Sequence, residues 1–429
     1  RLLGSSHEEE RVVTGVHIDS RLISPGDLFF ALPGQRVHGH DFLSMAKEKG
    51  AVAAIVDKKY MGPDFGMALI HVPDVLLALQ ELARKRVEHA HYKIVAITGS
   101  IGKTTTKEFT KTLLQGSYRL FASPLSYNSK ITLPLSILMA NDDEEILLLE
   151  MGMSEPGNIE KLVSIAPPDV ALITTVSLQH MDLFPEGLSA IAKEKASIFA
   201  HKRTKIALFH HEMPYASYAQ EVGSAVKKSF SRSSSAANYF CQGNMIYEDT
   251  VQYQYPPLPF TGKAHCHNFL AAVALARTLG VSPSQIAERV PLLTPPRLRF
   301  ERIERGGIVF INDAYNANHE AMLAAFEALP SVQKGGKKIG VISEMDALGL
   351  FSEKEHLRVG IAALQHLDYL LCIGERCLGM RAVWKDKPFE LYETKQQLTL
   401  RLKSVAAPGD VVLLKGARAY ALDEILKDF

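Results

Sequence analysis

Short apolar runs punctuate the chain, and the stretches between them repeat apolar residues at helical spacing. In the middle of the chain the runs are Ile94–Thr98, Ile146–Glu150, Val170–Thr174 and Ile206–Phe209. Toward the C-terminus they are Ile308–Ile311, Ile339–Ile342, Tyr369–Ile373 and Val411–Leu414. These runs are nearly continuous in apolar residues rather than alternating, the pattern of a strand buried on both faces. Such strands alternating with helices predict parallel sheets with helices on both sides. The N-terminal part reads as a strand in Gly26–Leu32 entered from a Pro-Gly turn, an amphipathic segment over Phe42–Lys49, a short strand Val52–Val56 and a helix over Leu76–His89. Residues Ser229–Pro259 break the rhythm with SRSSSAAN and then YFCQGNMIYEDTVQYQYPPLPF. The aromatic rings need burial, so an antiparallel excursion is expected there. Ala264–Leu279 is helical by its alanines and apolar spacing.

These blocks predict an α/β protein of three domains. A small α/β N-terminal domain covers 1–90, a central P-loop-type domain with a mostly parallel sheet covers 91–292, and a Rossmann-like, doubly wound domain covers 293–429. A length of 429 residues agrees with about three ordinary domains. Basic residues number 48 against 47 acidic, so no field of one sign invites nucleic acid or an anionic membrane. No apolar run approaches a membrane span, so no membrane insertion is expected. Cys241, Cys266, Cys372 and Cys377 form no Cys-x-x-Cys pair, which suits a reduced, cytoplasmic setting with thiols as small core residues.

The most informative stretch is Lys93–Thr106, KIVAITGSIGKTTT. A buried strand leads into a turn bracketed by Gly99 and Gly102, and Lys103, Thr104 and Thr105 open a helix. Glycines let backbone N–H groups of the turn, Ser100 included, approach phosphate oxygens, and the helix N-terminus adds partial positive charge. Lys103 can neutralise terminal phosphates and the Thr104 hydroxyl can ligate Mg²⁺. Only two residues separate Gly99 from the Gly-Lys pair, where the common P-loop has four. An ordinary strand-to-helix turn is the plain alternative for the string alone; strand, turn and helix together weigh against it.

Ligands of open α/β sheets gather at the carboxyl ends of strands. Glu150 ends one apolar run, where a carboxylate can reach Mg²⁺ held between phosphates; a solvated strand end is the bland alternative. His180 follows Val170–Thr174 in the string SLQHMD and can ligate a second metal or simply be a surface histidine. Asp313, Tyr315 and Asn316 follow Ile308–Ile311 in NDAYNAN, a string that turns the chain or holds a ribose and an adenine. Lys415 and Arg418 follow the last strand as cations able to close over an anion, or as a charged surface turn. Lys195 sits on the helical run Ile191–Phe199, and nothing in its own spacing singles it out.

Taken together, ITGSIGKTTTKE, Glu150-Met151-Gly152, His180 and DAYNAN resemble the Mur ligase family, ATP-dependent enzymes that build the peptide of bacterial cell-wall precursors. The N-terminal strings Asp19-Ser20-Arg21, PGDLFFALPG and Gly39-His40-Asp41-Phe42 resemble the uridine-nucleotide domain of that family. DAYNAN favours the members that add D-alanyl-D-alanine to a UDP-N-acetylmuramoyl-tripeptide through an acyl phosphate. The resemblance implies that Gly99, Ser100, Gly102, Lys103, Thr104 and Thr105 hold ATP phosphates, and that Thr104 and Glu150 hold one Mg²⁺. It implies a second metal at His180 and at Lys195, in the place of the family's carbamylated lysine. Asn268 would face the base, and Arg297 with Asp313, Tyr315 and Asn316 would contact ATP. Ser20, Arg21, His40, Asn128, Lys415 and Arg418 would face substrate, and a monomer is expected. A folylpolyglutamate-type ligase shares the phosphate loop but not the N-terminal strings. A nucleotide switch should carry Asn-Lys-x-Asp or the usual Walker B Asp, and neither is present.

Overall fold

The computed structural model describes residues 12–34 and 37–429. Among them three sheets form, each in its own stretch of chain. The first is parallel throughout, in the order β1 (Val16–His17), β2 (Leu28–Phe30), β3 (Ala53–Asp57), β4 (Ala68–Val72). Of its outer strands, β1 is only two residues long, and β4, though it reads ALIHV, is an edge strand that is mostly half-buried.

The central sheet is built from β5 (Lys93–Thr98), β6 (Leu120–Ala122), β7 (Ile146–Glu150), β8 (Val170–Ile173), β9 (Ile206–His210), β10 (Val226–Ser231), β11 (Tyr239–Gln242), β12 (Met245–Glu248) and β13 (Val251–Gln254). Their spatial order is β13-β12-β11-β10-β9-β8-β5-β7-β6. Ile94 and Ala96 of β5 enter the core on one face, Val95 and Ile97 the core on the other. A strand flanked this way must be apolar at nearly every position. The expected antiparallel excursion is corrected in part: β10 runs parallel to β9, and β11 runs parallel to β10. Antiparallel pairing starts only at β11 with β12 and β13. The polar string VKKSFS hid β10, because its pairing partner rather than its own apolar content makes it a strand.

The third sheet has the order β14 (Glu301–Arg305), β15 (Ile308–Asp313), β19 (Val411–Lys415), β16 (Lys338–Ser343), β17 (Tyr369–Ile373), β18 (Phe389–Tyr392). Only β14 is antiparallel, a hairpin edge on an otherwise parallel sheet. The carboxyl ends of β5, β7 and β8 in the central sheet and of β15 and β19 in the third therefore border one cleft.

Candidate active site

The turn after β5 is the centre of this cleft. Gly99 (φ +147°) and Gly102 (φ +86°) lie in the region that side chains avoid. A Cβ on Gly99 would fall 1.8 Å from Thr174 Oγ1, and one on Gly102 would fall 2.2 Å from Asn268 Oδ1. The turn thus needs glycine for its backbone and for its packing. It is strapped to the exit of β8: Ser100 N–H donates to Thr175 O at 2.9 Å, Ser100 Oγ donates to Ser177 O at 3.0 Å, and Ser177 N–H donates to Ser100 Oγ at 2.9 Å. Lys103 opens the helix Lys103–Leu114, and its Nζ donates to Gly99 O at 2.7 Å. Desolvation lowers its pKa and Arg299 adds to the effect, while Glu150 opposes it.

Thr104 Oγ1 donates to Glu150 Oε2 at 2.8 Å and lies 2.9 Å from Ser126 Oγ. Asn128 Nδ2 donates to Glu150 Oε1 at 2.7 Å. Glu150, only 1 % exposed, is therefore held by neutral donors on both oxygens. From the linker just before β14 comes Arg299, whose guanidinium stacks 3.9 Å from the Tyr315 ring centroid and reaches Thr104 Oγ1 at 3.4 Å. Beside it Lys415 Nζ pairs with Asp313 Oδ2 at 2.6 Å and donates to Asn316 O at 3.1 Å. The cavity between the two sheets has a volume of about 470 Å³, within the range of small-molecule sites.

The Mur ligase middle domain model matches residues 97–276, the Mur ligase glutamate ligase domain model matches 298–418, and the Mur ligase family catalytic domain model matches 12–87. A relative from Bacillus subtilis (strain 168), a UDP-N-acetylmuramoyl-tripeptide--D-alanyl-D-alanine ligase, is 31% identical over 447 residues, covering 99% of this chain and 95% of the relative. The chain belongs to the Mur ligase family. As a Mur ligase it is an ATP-dependent ligase. Its fold is similar to that of MurF from Acinetobacter baumannii, with a TM-score of 0.84, 25% identity and coverage of 97% of this chain and 93% of that one. It is also similar to the MurF ligase of Thermotoga maritima in complex with ADP, with a TM-score of 0.78, 28% identity and coverage of 98% and 97%.

In this Mur ligase the cavity gathers Ser100, Gly102, Lys103, Thr104, Thr105, Asn128, Glu150, His180, Asn268, Asp313, Tyr315, Asn316 and Lys415. Other candidates lie elsewhere. Lys195 is fully buried on the helix Leu188–Ala196, where desolvation holds its pKa well below that of an ordinary lysine; Lys103 adds to this and Glu194 opposes it. Desolvation also lowers the His180 pKa, helped by the charges of Lys195 and Lys103. Ser20, Arg21 and His40 sit with the first sheet: Ser20 Oγ donates to Met45 Sδ at 3.3 Å, Arg21 is clasped by Asp19 at 2.6 Å, and His40 Nε2 accepts from Asp57 N–H at 3.2 Å. Arg418 faces Asp423 at 2.5 Å, outside the cavity lining.

Arg297 is exposed and does not line the cavity; the arginine that does is Arg299. The string RLRF offers both, and no periodicity in a linker tells them apart. Leu298 (φ +62°) and Phe300 (φ +58°) turn the chain so that the second arginine points inward. Sequence reasoning also passed over Ser126 and His265, which line the same space. The donor set at Thr104 and Glu150 is a hydroxyl and a carboxylate, hard oxygen ligands of the kind Mg²⁺ accepts alongside phosphates and water. Among the described residues no group of three or more His, Cys, Asp or Glu forms a protein-only metal cage. No helix among them is long and apolar enough to cross a membrane.

Proposed function

We infer that this Mur ligase joins D-alanyl-D-alanine to the terminal carboxylate of UDP-N-acetylmuramoyl-tripeptide with ATP, in peptidoglycan precursor synthesis. One observation carries the reading: the phosphate-type turn with Lys103, the Thr104–Glu150 pair and the Asp313–Lys415 pair of another domain face a single cavity. Residues 1–90 grip the uridine nucleotide through Ser20, Arg21 and His40. Residues 91–292 hold the triphosphate, and residues 293–429 bring the dipeptide and close over ATP.

The tripeptide carboxylate attacks the γ-phosphate, ADP departs, and an acyl phosphate remains. Two anions must approach each other, so Lys103 and Arg299 are there to offset the repulsion and stabilise the equatorial oxygens. Arg299 takes the place first given to Arg297. Mg²⁺, when bound at Thr104 and Glu150, supplies further positive charge to the phosphates. A second metal is assigned to His180 and to Lys195 as a carbamate. The low pKa of Lys195 supports this, because the neutral amine is the form that adds carbon dioxide. Asn268 faces the base, with Asp313, Tyr315 and Asn316 toward ATP. Asn128 and Lys415 face the substrates, whereas Arg418, turned toward Asp423 outside the cavity lining, is given no contact with them. The dipeptide amine then attacks the activated carbonyl and phosphate leaves. Acyl phosphates hydrolyse readily, so the third domain must keep water out. The reaction is placed in the cytoplasm and the enzyme is taken as a monomer.

The test is ADP release measured with each substrate omitted in turn, using tripeptides ending in diaminopimelate and in lysine. Release should need both the tripeptide and the dipeptide, and hydroxylamine should trap the activated acid when the dipeptide is left out. ADP release indifferent to the tripeptide would overturn the reading.

A further inference from the structure

We propose that the third-domain loop 344–351 positions His180, by reaching across the domain boundary to hold the turn that carries it. The proposal rests on the role given to His180 above.

The loop is fixed to its own domain. His356, wholly buried, accepts the Met345 N–H on Nε2 at 3.0 Å and keeps its Nδ1 2.7 Å from Ser352 O. Glu344 accepts from Arg376 N–H at 3.0 Å and from the Tyr420 hydroxyl at 2.8 Å. Met345 and Leu348 are buried in the third-domain core. Such a loop moves with its domain as one body.

Its outer part touches the central domain beside His180. Met181 N–H donates to Ala347 O at 2.9 Å. Asp182 Oδ1 lies so close to Gly349 that a Cβ there would be 2.5 Å away. Phe351 packs on the central-domain core that includes Met181 and Phe184. His180 (φ +52°), Ala347 (φ +55°) and Gly349 (φ +50°) are all left-handed, and two of them are not glycine. Strained backbone of this kind persists only where the surroundings over-determine it. The turn closes on itself through Leu183 N–H and Phe184 N–H, which donate to His180 O at 3.0 and 3.1 Å. The Met181 N–H is the group it offers to the other domain. Gly349 and Ala347 are therefore positioning residues: they act through His180 and touch no reactant.

The experiment compares Gly349→Ala, Gly349→Ala with Asp182→Ala, and Gly306→Ala. Gly306 (φ +56°) has nothing within 4 Å of an added Cβ, so Gly306→Ala brings the same backbone strain without the contact. Hydrogen exchange at the Met181 amide of the full chain should quicken about tenfold in Gly349→Ala, return to within about twofold of wild type in the double variant, and stay unchanged in Gly306→Ala. Turnover should fall in parallel by about tenfold, with KM for ATP and for D-alanyl-D-alanine moving by less than about threefold. In a His180→Ala background, Gly349→Ala should cost no further turnover. Unchanged exchange at Met181, or an equal loss of rate with and without His180, would overturn the proposal. If His180→Ala alone turns over like wild type, the role given to His180 fails, and the exchange result still decides whether the loop holds the turn.

Discussion

His267 should make the central domain acid-labile. It lies on the helix Lys263–Thr278, its ring 4.3 Å from that of His210 and 5.2 Å from that of Phe230, with Nε2 3.3 Å from Thr174 O. Burial pushes its pKa down to about 3, and the neighbouring His210 adds to the effect. The folded state therefore holds the neutral ring, while the unfolded chain takes up a proton below its ordinary value of 6.5. The stabilisation is fully present above pH 6.5 and drains away as pH falls toward 3. At about pH 5 the loss is about 1.5 pH units at ~1.36 kcal/mol each, or about 2 kcal/mol. That figure requires only that the folded pKa lie below 5, so it does not depend on how deep the shift goes. His267→Gln keeps an N–H for Thr174 O but cannot titrate. Hydrogen exchange of the buried stretch Leu270–Ala276 reports opening of the central core without reference to the other two domains. Corrected for intrinsic rates, wild type should lose about 2 kcal/mol more protection than His267→Gln between about pH 7.5 and about pH 5. Equal losses in the two proteins would refute the reasoning, because every other titrating group is common to both.

Three further outcomes can be checked directly. Lys103→Ala should lower turnover by about a thousandfold or more and leave the circular dichroism and melting midpoint unchanged, since among the described residues its Nζ bonds only to Gly99 O. Asp313→Ala leaves Lys415, 2 % exposed, without its counter-charge and should destabilise the third domain by about 3–5 kcal/mol in urea titration, whereas Asp313→Leu with Lys415→Met should recover most of that stability without activity. Native mass spectrometry should find carbon dioxide added to the chain and absent from Lys195→Ala; equal masses, allowing for the substitution, would remove the carbamate from the scheme.

Core strands were legible in the sequence because burial on both faces leaves a continuous apolar run. Ile146–Glu150 and Tyr369–Ile373 match the observed strands residue for residue. Edge strands were not legible. Glu301–Arg305 reads ERIER and is a strand only because Ile308–Asp313 pairs with it. The phosphate turn could be read because strand, glycines and lysine are consecutive. The residues opposite it belong to another sheet, and only their place at strand ends hinted that they share its cavity. Arg299 shows the limit. Its side chain is aimed by two left-handed residues that are not glycine, so the usual letter for that backbone is missing.

Leu125, Leu298 and Phe300 are left-handed residues of this kind beside the cavity, and what holds these three is electrostatic. Leu125 (φ +49°) offers its carbonyl to the fully buried Lys107 ammonium at 2.5 Å. Leu298 N–H is held by Glu301 Oε2 at 3.2 Å, and Phe300 N–H by Asp313 Oδ1 at 3.2 Å. A left-handed leucine or phenylalanine costs about 1–2 kcal/mol, and a hydrogen bond to a charged group contributes about 1.5–3 kcal/mol. One such bond is enough to hold one strained residue. Lys107 and Glu301 lie outside the cavity lining and fix backbone alone, whereas Asp313 lines the cavity and can do two jobs: face the reactants, and fix the backbone that aims its neighbour. Asp313 does both, with one oxygen on Lys415 and the other on the N–H of Phe300. Its removal should therefore unseat Arg299 as well as Lys415, although it touches Arg299 nowhere except through the backbone of the next residue.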